Sequence, residues 1–410
     1  MKKNSIIASL GSILEYFDFA LFGLMAGVFG KIFFDPSNPI ASEIKFVLTY
    51  FIGFFARPIG GICAGFLGDI KGRKKVFVFL TLLMSISTFL IGCLPTYSQI
   101  GIWSPILLVM MRVLQGVSFG GEIVGAAVII KESESEKKKH FGISLLISST
   151  CIGAVLANGS IAILYAFFEN EILSYAWRIP FIVAGIFGFI IFFLRKNLSE
   201  TINTHENKID NSFKKIITEI FLKKKLLISG IIFSLFTFSL LITNIFYPVI
   251  LNSLFNIPLG IYYSYTTYSL IFGIFLSPII SFFLKYISKE KLMIIFFSLY
   301  AISARSLFSI FEKNFSELYL FIFLMIQQIF IAVFYTCQMG IFLDNIPSKI
   351  RYSTKAIIAN ISSAIASLIP ILYRGEKAKF YHKSTPEILI IILVFSFISL
   401  VIFKKNSEKN

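Results

Sequence analysis

Long apolar runs separated by short polar loops occupy almost the whole chain. Runs of about 18 or more apolar residues are long enough to cross a bilayer as helices. The pattern predicts two sets of six helices. The first set covers 6–34, 44–69, 74–95, 102–130, 141–168 and 176–195, and the second covers 224–252, 259–286, 290–311, 316–345, 352–373 and 385–403.

The two sets predict a chain of two similar halves. We expect six-helix halves at 1–195 and 224–410, joined by a cytoplasmic linker at 196–223, the longest polar stretch. Basic loops recur at matching places, since 68–75 corresponds to 285–291 and 131–140 to 346–355. A repeat in one orientation is typical of all-α transport proteins built from two parallel-repeat halves, with the substrate site between them near the bilayer midplane.

Composition agrees with a membrane protein. Of the 410 residues, 56% are hydrophobic and 15% are charged, and the mean hydropathy is +0.82. Soluble chains average about 45–50% apolar residues, so we expect the excess to face lipid. The first apolar run contains Glu15 and Asp18 and no small-residue cleavage site, so we expect it to be retained.

The net charge of +16 would suggest nucleic-acid binding if it lay on a soluble domain. Instead, most lysines and arginines lie in loops on one side of the predicted helices, which indicates a multi-pass inner-membrane protein with both termini in the cytoplasm. One loop disagrees, because its basic residues would lie outside: Arg374, Lys377, Lys379 and Lys383. We expect the lipid bilayer as a partner, no nucleic acid, and a monomer.

No catalytic or metal-binding pattern is present. The four cysteines lie in apolar spans without metal-ligand or disulfide spacing: Cys63, Cys93, Cys151 and Cys337. The chain has no phosphate-binding Gly-Lys-Ser/Thr loop and no nucleophile with a base in a soluble region. We therefore expect no enzyme activity, no cofactor and no metal.

Several charged residues fall inside predicted helices, where they are costly and usually paired or functional. Glu15 and Asp18 share a helix face, and Arg57 and Arg112 lie at comparable depth in the second and fourth helices. A carboxylate that changes partner can couple a proton to transport, although static ion pairs are the alternative. The three histidines lie in predicted loops, so carboxylates must carry any proton. The predicted proton-coupling residues are Glu15, Asp18, Arg57, Arg112 and Glu122.

The fourth predicted helix concentrates polar groups on one stripe. Its members at spacings of three, four and three are Arg112, Gln115, Phe119 and Glu122. Gly116, Gly120, Gly121 and Gly125 give small residues at four-residue spacing, which favours close helix contact.

The loop after the second predicted helix combines an acid, a glycine and basic residues. Gly72 permits a sharp reversal, and Asp69 can pair with a helix N-terminus or with a basic side chain. Such a contact can break during a conformational change; a generic basic loop is the alternative. The second-half copy at 283–291 has neither the Asp nor the Gly.

Five segments together resemble the metabolite:proton symporter family of the major facilitator superfamily, which includes permeases for proline/glycine betaine, α-ketoglutarate, citrate and shikimate. The segments are 10–23, 55–61 with Arg57, 94–97, 112–122 and 346–353 with Arg351. The resemblance implies a major facilitator fold and proton symport by alternating access. It implies conformational-loop roles for Gly65, Asp69, Gly72, Arg73 and Arg351. Predicted substrate-binding residues are Tyr16, Arg57, Arg112, Gln115 and Arg305. The fifth helix lacks the Gly-Pro signature of drug antiporters, which favours uptake.

The small-molecule substrate stays open at this stage. A zwitterionic osmolyte such as proline or betaine suits aromatic surfaces, including the tyrosines at 262–268, which are otherwise an interfacial belt. An organic acid suits Arg57, Arg112 and Arg305, although Arg305 can also snorkel to the interface. A transporter-like receptor that binds without transport is the second alternative.

Overall fold

The computed structural model describes residues 3–35, 37, 39–135, 138–198, 200, 218–220, 222–255, 259–313, 316–368 and 378–408. Its helices are α1 Lys3–Leu24, α2 Ala26–Phe33, α3 Pro39–Lys71, α4 Arg73–Cys93, α5 Trp103–Ser133, α6 Lys139–Phe167 and α7 Arg178–Lys196. They continue with α8 Lys224–Phe255, α9 Leu259–Phe283, α10 Lys289–Lys313, α11 Glu317–Asn345, α12 Arg351–Ala366 and α13 Ala378–Glu408. No strand occurs among these described residues.

The first predicted helix is broken in two, which the hydropathy pattern does not show. At Met25 the chain leaves helical geometry, and its amide still donates to the Leu21 carbonyl at 2.9 Å. Gly23 and Gly27 flank the break. Glycine lowers helix stability, so the two glycines favour a break of the helix at this position.

Ten helices within the described ranges are long and apolar enough to cross a membrane. Helices α10 and α12 are not among them. Helix α12 spans 16 residues, fewer than the roughly 20 that a bilayer core requires. The predicted span 352–373 continues into 369–373, which lies outside the described residues.

The chain divides into two compact units, one formed within 1–135 and 149–213 and the other within 136–148 and 214–410. In the first unit α3 packs along α5, and α4 packs along α7. In the second unit α9 packs along α11, and α8 packs along α13. The boundaries of the predicted halves, 1–195 and 224–410, stay a prediction. Most of the predicted linker 196–223 lies outside the described residues.

Candidate functional site

Asp18 is the centre of a buried polar cluster in the first unit. Its Oδ1 accepts hydrogen bonds from Thr88 Oγ1 at 2.9 Å and from Gln115 Nε2 at 2.6 Å. Its Oδ2 lies 3.5 Å from Nη1 of Arg112, which also donates to Gln115 Oε1 at 2.8 Å. The Arg112 guanidinium lies over the Phe22 ring at 4.0 Å. Helices α1, α4 and α5 thus bring a carboxylate, its counter-ion and two neutral hydrogen-bonding groups together away from solvent.

Glu122, a predicted proton-coupling residue, forms an ion pair with Arg195, which the sequence did not single out. Arg195 at the end of α7 is fully buried and forms an ion pair with Glu122 Oε1. The same guanidinium donates to Thr81 Oγ1 and to the Ala8 carbonyl, and it lies 3.8 Å over the Phe77 ring. A buried charge needs such a partner set, because desolvation is otherwise uncompensated.

Glu15 differs from both other acids. It is 1% exposed, and neither carboxyl oxygen has a hydrogen-bond partner among the residues that the structure describes. It lies within electrostatic range of Arg57, Arg195 and Glu122. One helical turn earlier, Gly11 leaves room for the Arg195–Glu122 pair, which a Cβ at that position would strike.

Arg57 lies among aromatic rings. Its guanidinium carbon is 3.5 Å from the ring centre of Phe119, 4.1 Å from that of Phe54 and 4.8 Å from that of Phe19. Tyr16 is half-buried beside them, with its ring centre 5.9 Å from that of Phe119. The predicted residues Arg57 and Tyr16 therefore meet around three phenylalanines from α1, α3 and α5.

The loop between α3 and α4 is held by charges. Arg73 is fully buried, lies 3.4 Å from Asp69 Oδ1 and forms an ion pair with Glu132 of α5. Gly72 has φ of 98°, a conformation that favours glycine. Glu200 accepts a hydrogen bond from the Arg73 amide at 3.0 Å, so its carboxylate caps the N-terminus of α4.

The remaining predicted site residues are Arg305, Arg351 and Gly65. Arg305 has a side chain that is 85% exposed and lies 3.8 Å from Glu387 on the second unit. Arg351 is partly buried, and its Nε donates to the Ile346 carbonyl at 3.1 Å. Gly65 is buried within α3. Functional roles for these residues stay predictions.

The second unit contains charged groups that the sequence patterns did not single out. Asp344 Oδ1 lies 3.0 Å from Lys139 Nζ, and its Oδ2 pairs with Lys289. Lys355 is 2% exposed, and its ammonium lies 4.0 Å over the Phe342 ring. All three lysines are in or next to loops whose basic residues indicate topology. The sequence pattern therefore gives no sign of a separate role for them.

Four residues of the first unit's sites were also missed: Thr88, Glu132, Arg195 and Glu200. Thr88 is a small polar residue in an apolar run, and such residues are common in membrane helices. Arg195 and Lys196 end a predicted helix, and basic residues at the cytoplasmic end of a membrane helix are expected from the positive-inside rule. Nothing in the sequence distinguishes Arg195 from exposed Lys196, and only the packing of α7 against α4 does so.

Charged groups buried inside a bundle of apolar helices are typical of a multi-pass membrane transporter. The chain belongs to the Major Facilitator Superfamily, because the model of that family matches residues 8–370. The proline/betaine transporter of Salmonella typhimurium is 30% identical over 436 residues, covering 100% of this chain and 84% of that protein. The glycine betaine/proline/ectoine/pipecolic acid transporter OusA of Dickeya dadantii is 28% identical over 440 residues, with coverage of 100% and 84%.

Solved structures agree on the fold. A double-tryptophan mutant of the symporter XylE superimposes with a TM-score of 0.81 at 14% sequence identity, covering 98% of this chain and 95% of that one. A D-xylose–proton symporter gives a TM-score of 0.75 at 15% identity, with coverage of 100% and 99%. The expected major facilitator fold, the inner-membrane location and the absence of an enzyme function are confirmed.

Proposed function

We propose that this transporter is a proton-coupled symporter of a small zwitterionic osmolyte, of the proline or betaine kind, working by alternating access. The relatives that align with the whole chain carry these substrates in their names. The observation that carries the coupling is Glu15, a buried carboxyl group whose oxygens have no hydrogen-bond partner within the described residues.

A buried carboxylate without hydrogen bonds is costly, and binding a proton removes its charge. Glu15 can therefore take up and release a proton as its surroundings change. Asp18 is the second candidate carrier, because its proton competes with the contact to Arg112. The Arg195–Glu122 pair supplies fixed charges near Glu15 in this proposal. We also propose that both termini lie in the cytoplasm, because most basic residues lie in the loops on that side of the membrane.

The test is uptake of radiolabelled glycine betaine and proline by proteoliposomes of the full chain. We expect accumulation when the outside is more acidic than the inside, and loss of accumulation with a protonophore. Accumulation that ignores the pH gradient would refute proton coupling. Uptake of α-ketoglutarate or citrate but not of betaine or proline would show that the substrate is an organic acid. Ligand binding without any flux would indicate a receptor.

A further inference from the structure

Three phenylalanine rings surround the guanidinium of Arg57. We call Phe19, Phe54 and Phe119 the aromatic box. Their burial is nearly complete, at 5%, 2% and 8% exposed. The Phe19 ring centre lies 5.1 Å from that of Phe54 and 5.7 Å from that of Phe119, with interplanar angles of 83° and 55°. The rings thus stand at angles around one point.

That point is occupied by the guanidinium of Arg57. Aromatic faces carry negative electrostatic potential and attract cations within about 6 Å of the ring centre. Lys196, for comparison, lies over two phenylalanine rings, at 4.6 and 5.0 Å, whereas three rings lie within 5 Å of the Arg57 guanidinium carbon. The surroundings of Arg57 are therefore built for a cation, beyond what a single stacking contact needs.

We propose that the aromatic box receives the ammonium group of a zwitterionic substrate in exchange for the Arg57 guanidinium, which then binds the substrate carboxylate. This inference rests on the proposed function and adds the location of the substrate's cation. The exchange conserves charge, because the ammonium replaces the guanidinium among the rings and the substrate carboxylate accompanies the guanidinium in its new position. Arginine suits this role, since its planar fork matches a carboxylate and also stacks on aromatic faces.

The exchange also connects the substrate to the proposed proton carrier. Glu15 lies within electrostatic range of Arg57. Withdrawing the guanidinium toward a bound carboxylate changes the field at Glu15, and a proton can compensate for that change. Binding of an ammonium compound and protonation of Glu15 are thereby linked through one side chain.

The experiment compares glycine betaine with 3,3-dimethylbutanoate, which has the same shape and carboxylate but carries carbon in place of the quaternary nitrogen. Each is tested as a competitor of labelled betaine uptake by the full chain in proteoliposomes. We expect wild-type protein to prefer betaine by about tenfold or more. In Phe119→Leu the preference falls toward one, and in Phe119→Tyr, which keeps a π face, it persists.

Phe54→Leu repeats the test at a second wall of the box, so that one poorly folded variant does not decide the result. Phe79→Leu on α4 is the matched control, because this phenylalanine is 60% exposed and lies outside the box. Wild-type uptake of betaine with a preference that survives Phe119→Leu and Phe54→Leu would overturn the aromatic box and leave the proposed function intact. Absence of proton-driven uptake of any solute by wild-type protein would overturn both.

Discussion

At the residue scale, the three buried acids of the first unit differ in how their charges are balanced. Asp18 has an arginine at 3.5 Å and two hydrogen-bond donors. Glu122 has Arg195 as a direct partner, and Glu15 has no hydrogen bond within the described residues. We therefore expect Arg195 to stabilise the fold, and the effect of replacing it can be measured by unfolding, without a transport assay.

Replacing Arg195 with methionine should destabilise the protein by about 3–5 kcal/mol, because Glu122 keeps a buried charge without its partner. The measurement is the midpoint temperature of unfolding in detergent. The double variant Arg195→Met/Glu122→Leu should recover most of the loss, since both charges are removed. Lys196→Gln is the exposed neighbouring control. Equal midpoints for Arg195→Met and Lys196→Gln would contradict the assignment.

The sequence predicted part of this site. Helical spacing placed Glu15 and Asp18 on one face and Arg112 with Gln115 on one stripe, and the structure brings Asp18, Arg112 and Gln115 together. It could not choose the partners, because Arg57 faces aromatic rings and Glu122 meets an arginine from another helix. Pairings between helices depend on helix rotation and depth, which spacing within one helix does not determine.

At the element scale, α3 and α5 approach so closely that glycine is required between them. A Cβ at Gly120 would strike the Arg57 carbonyl, and one at Gly60 would strike the Val117 carbonyl. The structure confirms the predicted close contact at Gly116 and Gly120. This packing holds the backbone of Arg57 at a fixed distance from α5.

Gly120→Ala should destabilise the protein by about 1–3 kcal/mol, because backbone atoms cannot move aside as a flexible side chain can. Gly159→Ala on α6 is the matched control, since a Cβ there meets nothing within 4 Å. Unfolding midpoints in detergent compare the two variants. A Gly120→Ala midpoint at or above that of Gly159→Ala would refute the close approach.

The loop before α4 gives a second prediction at this scale. Gly72 has φ of 98°, and a Cβ there would lie 2.5 Å from a Glu200 carboxylate oxygen, whereas Gly101 has φ of 56° and open space around it. Both Gly→Ala variants add backbone strain of about 1–3 kcal/mol. Only Gly72→Ala should also displace the Glu200 cap and slow uptake per folded molecule. Equal uptake rates in the two variants would remove the loop from the transport cycle.

At the scale of the whole molecule, the fold was predictable and some details were not. Apolar runs and basic loops located the long helices of the described residues, because crossing a bilayer requires about 20 apolar residues whatever the tertiary contacts are. The same criterion did not show the break at Met25 or that α12 spans only 16 residues. These features depend on local backbone geometry and packing rather than on lipid exposure.

The loop charges predict both termini in the cytoplasm. A green fluorescent protein fused after Asn410 should be fluorescent in intact bacteria, and an alkaline phosphatase fused at the same position should be inactive. Active phosphatase with a dark fluorescent protein would reverse the orientation and assign the loop containing Arg374 and Lys383 to the cytoplasm.

The central claim is that buried carboxyl groups of the first unit carry protons with the solute. An entrapped pH dye in proteoliposomes measures proton entry when betaine is added outside without an imposed gradient. We predict acidification of the lumen with wild-type protein, and none with Glu15→Gln, which should still exchange labelled betaine for unlabelled betaine. Undiminished betaine-driven acidification in both Glu15→Gln and Asp18→Asn would contradict the claim.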